Sequence, residues 1–194
     1  LVQGADYSSE SENRITRTIA VDGARGSIVD CNGVPLAYDE SSYNVEFLRD
    51  TAKKTYTDRA YYTDIIIETI RLIEENGGET IDTFSIVRDE NGNFDFDFGD
   101  ISQEAKEKRI KNWKSNMLVN EKSEPDAIYR DLRNRYRIPE NMSYEEARKV
   151  LSIWQEVQLS SYMAYNAVTI ATDVNAKTVA LIEAKSDELD GMQI

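Results

Sequence analysis

The chain has 194 residues, 40% hydrophobic and 30% charged, enough for one ample domain or two small lobes. Its net charge of −13 argues against binding to nucleic-acid backbones or an anionic membrane surface and otherwise serves solubility. There is no histidine, which removes the commonest general base and metal ligand, and Cys31 is the only cysteine, so no intrachain disulfide can form. No run approaches the roughly 18 apolar residues of a membrane span, and no stretch has the basic start and apolar core of a signal peptide. The chain starts at Leu1 without an initiator Met, which reads as an excised fragment or a processed product.

In chain order, residues 4–13 are polar and expected to be loosely ordered. Ile15, Ile19 and Val21 share one face of a strand at period two. Ser27 to Cys31 places Ile28 beside Val29 and reads as a short buried strand. Asn32-Gly33 is a turn pair, because both residues tolerate positive φ. Val34 to Ala37 returns as a second strand, with Pro35 restricted to an edge or a strand start. Arg25 and Asp30 flank this hairpin and offer a charge-assisted hydrogen bond across it. Tyr43 to Phe47 alternates and reads as a half-buried strand.

Residues 49–57 read as a connection. Tyr62 to Glu75 carries a broad apolar face of isoleucines and predicts a deeply packed helix, ended by Asn76-Gly77-Gly78. Phe84–Arg88 and Asn93–Phe98 pair across Asn91-Gly92 as a second hairpin. Asp89, Asp95, Asp97 and Asp100 are read as a solvated strand face; a calcium loop would need its Gly further from the first Asp than Gly92 lies. From Ile101 the chain turns helical. Ser102 caps a first helix bearing Trp113. Ser123 with Pro125 and Asp126 starts a second, which stops before Ile138-Pro139. Ser143 to Glu146 is a capping box for the longest helix, carrying Trp154 and reaching Tyr162. The Trp and Tyr positions read as core rather than ligand-stacking sites. Asn166–Ala171 is a strand, Asn175 caps a short helix, and Leu189–Ile194 begins another extended piece.

The stretch Arg25-Gly26-Ser27-Ile28-Val29-Asp30-Cys31-Asn32-Gly33-Val34-Pro35-Leu36-Ala37 resembles the first motif of the non-catalytic N-terminal region of class B penicillin-binding proteins, the dimerisation or pedestal domain. The match lies at Arg25, Gly26, Ile28, Asp30, Asn32, Gly33, Leu36 and Ala37. The family usually has Arg where this chain has Cys31. The Val168-Thr169-Ile170-Ala171 strand, the short helix and the Gly191 that follows resemble the end of the same region. Residues 55–160 match only as a largely helical insertion.

The resemblance implies an α+β fold of the Gram-positive, clostridial type. Residues 1–13 would be a stalk after a missing membrane anchor. Residues 14–50 and 166–194 would form a small β-rich anchor lobe built from both chain ends, with an inserted, mainly helical lobe over 51–165 containing the hairpin. Arg25, Gly26, Asp30, Asn32 and Gly33 would be structural, and no catalytic residue, metal or cofactor is implied. A parent of this kind is a serine-type peptidoglycan transpeptidase, acylated by β-lactams. The chain would hold that domain on the outer face of the cytoplasmic membrane, tethered by an N-terminal transmembrane helix. Implied partners are its own transpeptidase domain, a second copy in a homodimer, a cell-wall glycosyltransferase of the shape, elongation, division and sporulation class, and other elongation or division proteins.

The catalytic motifs of such an enzyme are missing from the chain. No Ser has a Lys three residues later, and Lys177-Thr178 is followed by Val179 rather than Gly. Gly77-Gly78 has no phosphate-loop Lys after it, and Cys31 has no His to activate it. A stand-alone extracytoplasmic binding protein and a small carboxylate hydrolase are the competing readings.

Overall fold

A computed structural model describes residues 26–37, 42–162 and 166–194. The fold is α+β, with five helices and small antiparallel sheets among the described residues. Two compact units divide the chain, residues 1–41 and 42–194. The strand expected at Ile15–Val21, the polar stretch 4–13 and Arg25 lie outside the described residues.

In the first unit β1 (Ile28–Val29) pairs antiparallel with β2 (Pro35–Ala37). Both strands are shorter than the sequence suggests. They are also exposed rather than buried: Ile28 is 62% and Leu36 69% accessible. The reason is architectural. A two-stranded ribbon has no second layer of its own to cover its apolar side chains.

In the second unit β3 (Tyr43–Phe47) lies between β6 (Val168–Val174) and β7 (Met192–Gln193), antiparallel to both. Val45 and Phe47 point into the core at period two. The β3–β6 register slips near Asp173, whose φ of 57° marks an extra residue in β6.

The helix α1 (Tyr56–Glu75) begins six residues earlier than the isoleucine periodicity indicates. Thr55 caps it by accepting from the Asp58 N–H, and the Asp58 carboxylate accepts from the Thr55 N–H, a capping box built with Asp. Its end is as expected, with Asn76 as C-cap and Gly77 at φ 81°. The second hairpin pairs β4 (Ile86–Arg88) with β5 (Phe94–Phe96). Next, α2 (Gln103–Asn116) is capped by Ser102. In α3 (Pro125–Arg135), Glu124 rather than Ser123 is the N-cap. Pro125 occupies the first helical turn and holds the residue before it extended. Ser143 caps α4 (Tyr144–Leu159) with both bonds of the expected box. Tyr162 falls beyond that helix and is 81% exposed, not core. Asn175 caps α5 (Ala176–Ala184).

Nearly every side of the later half of α4 is buried, including the polar Ser152 and Gln155. Trp154 is fully buried, stacks on Tyr136 at 4.6 Å and meets the edge of Phe47 from β3. Its Nε1–H donates to Thr63 Oγ1 of α1, whose hydroxyl donates to the Tyr136 carbonyl at 2.5 Å. One indole therefore ties the sheet, α1, α4 and the end of α3 together.

On the neighbouring face α4 holds an extended segment, residues 81–86. Ser152 Oγ accepts from the Thr83 N–H, and Gln155 Oε1 accepts from the Ser85 N–H. Gln155 Nε2 donates to the Thr83 carbonyl, and Arg148 donates to the carbonyls of Phe84 and Ile86. Gln155 Oε1 also accepts from Trp113 Nε1–H of α2 at 2.9 Å. Removing the amide of Gln155 orphans the buried Ser85 N–H and Trp113 indole N–H and the part-buried Thr83 carbonyl at once. Gln155→Ala should destabilise the domain by ~2–4 kcal/mol in urea unfolding, and a loss no larger than that of an ordinary surface substitution would show that these bonds are not needed.

Candidate functional site

The hairpin around Asp30 carries the motif residues, and its geometry is a closed turn. Asp30 Oδ1 accepts from the N–H groups of Asn32 and Val34, both at 2.8 Å. The Asp30 carbonyl accepts from the Gly33 N–H, and the Asp30 N–H donates to the Val34 carbonyl. Gly33 has φ 81°, where a side chain would be strained. These bonds gather Asp30, Asn32 and Gly33 into one loop. Gly26 precedes β1, and a Cβ there would meet nothing within 4 Å. Arg25, and with it any bond from Arg25 to Asp30, lies outside the described residues.

The same five-residue construction occurs a second time. Asp89-Glu90-Asn91-Gly92-Asn93 repeats the Asp-x-Asn-Gly pattern, although the chain shows no longer internal repeat. Asp89 Oδ1 accepts from the N–H groups of Asn91 and Asn93, the Gly92 N–H donates to the Asp89 carbonyl, and Gly92 has φ 86°. Asp89 thus serves a turn, while Asp95 pairs with Lys106 at 2.9 Å. Among the described residues, no three His, Cys, Asp or Glu side chains are grouped to hold a metal ion. Both loops are three-residue hairpin turns closed by a left-handed glycine.

The two loops bear on Cys31. The second residue of the pattern is Cys31 in one turn and Glu90 in the other, and neither side chain takes part in closing its loop. Cys31 is exposed as a free thiol. A bulky or charged residue is therefore compatible with that place, and the turn does not depend on it.

The two hairpins differ in how they are seated. Phe94 of β5 packs on Tyr129 of α3 at 4.8 Å and against Tyr144 of α4, and Phe96 meets the edge of Trp113 at 5.2 Å. That hairpin is part of the core of the second unit. The motif hairpin presents Ile28, Val29, Val34 and Leu36 as exposed side chains instead.

The family model for the penicillin-binding protein dimerisation domain matches residues 20–194. The chain belongs to this family. It is thus a non-catalytic domain of a penicillin-binding protein, and both the motif hairpin and the α4-centred core fall inside the matched region. No described helix of this dimerisation domain is long and apolar enough to cross a membrane.

The carboxyls that close the two turns make the domain's turns acid-sensitive. Asp30 is held below the ordinary carboxylate range, chiefly by the N–H of Val34 and then that of Asn32. Asp89 is held low chiefly by the Asn93 side chain and N–H. A depressed folded value means the turn's contribution is complete above the unfolded carboxyl value of about 3.9 and is lost as pH falls through the lower folded value. Carboxyl carbon shifts should place both groups below the exposed carboxylates, with amide protection at Asn32, Val34, Asn91 and Asn93 fading only at the acid end. Titration of both groups at the ordinary value would contradict the hydrogen-bond geometry.

Proposed function

We propose that this domain is the pedestal of a class B, monofunctional peptidoglycan transpeptidase of the Gram-positive, clostridial type. It would carry the catalytic domain at a set height outside the cytoplasmic membrane, tethered by an N-terminal helix. The observation that carries this reading is the family match over residues 20–194. The absence of the serine-lysine and lysine-threonine-glycine motifs from the chain agrees with a supporting role. The cross-braced core of residues 42–194 suits such a role, because buried hydrogen bonds from α4 reach α1, α2 and the segment before the second hairpin, and Trp154 packs on the sheet and on Tyr136 at the end of α3. A pedestal needs stiffness more than a site.

In this reading Arg25, Gly26, Asp30, Asn32 and Gly33 shape a ribbon whose exposed apolar strands are available to another surface. The transpeptidase domain, a second copy, and cell-wall glycosyltransferases or other elongation or division proteins are the partners it supports.

Fluorescent penicillin tests the proposal. The full-length gene product should take a covalent label, while residues 1–194 alone take none. A reading frame without a penicillin-labelled domain would remove the transpeptidase parent and leave an extracytoplasmic binding protein.

A further inference from the structure

Two cavities on the surface of the second unit run into one another between α1 and α4. The first, of about 190 Å³, is bordered by Ile67 and Ile70 of α1 and by Met142 and Val150. The second, of about 490 Å³, continues past Asp64 and Pro139. Ile67, Met142 and Glu146 border both, so the two make one groove. Its floor is apolar. Ile70 and Val150 are buried beneath it, while Ile67 and Met142 are half-buried and leave apolar surface open to solvent. One wall is fixed in advance. The Arg133 guanidinium donates to the carbonyls of Pro139 and Met142, and the Glu146 carboxylate accepts from Ser143 at the cap of α4.

The rim of this groove is acidic. Asp64, Glu68, Glu74, Glu75 and Glu146 border it, with Arg71 as the one cation among its lining residues. Arg71 is held between Glu68 and Glu75. Two lysines reach the rim from outside, Lys149 to Glu74 and Lys185 to Glu68, each at 2.6 Å. With Arg133 behind the turn counted as well, the carboxylates still outnumber the cations five to four. Glu140 and Glu145, exposed on the same turn and the start of α4, add two more carboxylates. Asp64 forms no ion pair among the described residues. Glu146 bonds to Ser143, and Lys149, whose charge also reaches Glu146, is bonded to Glu74. The local charge therefore has the same sign as the whole chain's −13.

We propose that this groove receives a basic amphipathic helix of a partner protein, with apolar side chains on Ile67 and Met142 and lysine or arginine side chains at Asp64 and Glu146. The seam between two packed helices offers a third helix a ready groove. Asp64, Ile67, Arg71 and Glu74 follow one face of α1 over about 15 Å, the length of about ten helical residues. The flexible Met142 side chain adapts to what lies on it, and the braced turn beside it needs no ordering on binding. A cation meeting Asp64 or Glu146 displaces no ion pair of the domain. Charge separates this occupant from others. A second copy of this chain, a nucleic acid or an anionic bilayer meets repulsion both from the rim and from the net charge, whereas a basic segment is drawn by both. The proposal rests on the reading of the domain as a partner-binding pedestal and names the chemistry of one partner.

The test is fluorescence anisotropy with residues 1–194 and the fluorescein-labelled peptide KLKKLIKKLK, whose apolar residues recur at helical spacing. The control KKLKLKLKIK has the same composition and charge with its apolar residues at period two. The first peptide should bind, and the control should bind about tenfold more weakly or worse, because charge alone does not fill the floor. D64K/E146Q should weaken binding of the first peptide by about tenfold or more; Gln at position 146 keeps the capping box. E104K/E107Q, the same charge change on α2, should leave binding unaltered. Amide shift mapping on the unmutated chain should move signals within residues 64–75 and 139–150, which locates the peptide even if the variant melts early. Equal binding of the two peptides, shifts elsewhere, insensitivity to D64K/E146Q, an equal loss in E104K/E107Q, or no binding would each overturn the proposal. No binding alongside retained penicillin labelling of the full-length protein would sink this contact and leave the pedestal reading standing.

Discussion

An extended backbone segment inside a protein must have its N–H and C=O groups met, and at residues 81–86 helix α4 meets them. The Ile81 N–H reaches the Ile170 carbonyl at the edge of the sheet. The Ser85 carbonyl accepts from the Asp97 N–H beyond β5, and Ser152, Gln155 and Arg148 supply the other partners that a neighbouring strand would give. The spacing 148, 152, 155 follows one helix face. That face fixes where the second hairpin starts, and Trp113 shares Gln155 with it, so α2 is placed by the same amide.

The neighbouring face of α4 does the complementary work with aromatic packing. Trp154 joins Phe47 of the sheet to Tyr136 at the end of α3, and its indole N–H is met by Thr63 of α1. A helix satisfied on both sides in this manner has little freedom to shift relative to its neighbours, because any displacement breaks buried hydrogen bonds as well as packing. For the pedestal role proposed here, such bracing links sequence to function more directly than any pocket does.

Much of this was legible beforehand. The Asn-Gly turns, the Ser102, Ser143 and Asn175 caps and the isoleucine face of α1 follow from local chemistry, and local chemistry survived folding. The start of α1 was hidden because its capping box uses Asp58 and is followed by tyrosines rather than an apolar repeat. Ile28 and Val29 are exposed against expectation because an apolar pair says nothing about whether a second layer exists to cover it. Nothing in the sequence marks Ser152 and Gln155; their partners lie 69 and 70 residues away, a distance over which periodicity carries no information. The motif from Arg25 to Ala37 pointed to the family, yet its exposure and the reuse of the same turn at Asp89 were visible only in three dimensions.

Native-state hydrogen exchange at the Thr83 and Ser85 amides tests the central role of α4 most directly. If side chains of α4 hold this segment as a strand would, both amides should exchange only through the unfolding that also releases the Trp113 indole N–H, with opening free energies close to that of the whole unit. Exchange of Thr83 and Ser85 at the rate of exposed loop amides, with the Trp113 indole still protected, would contradict it.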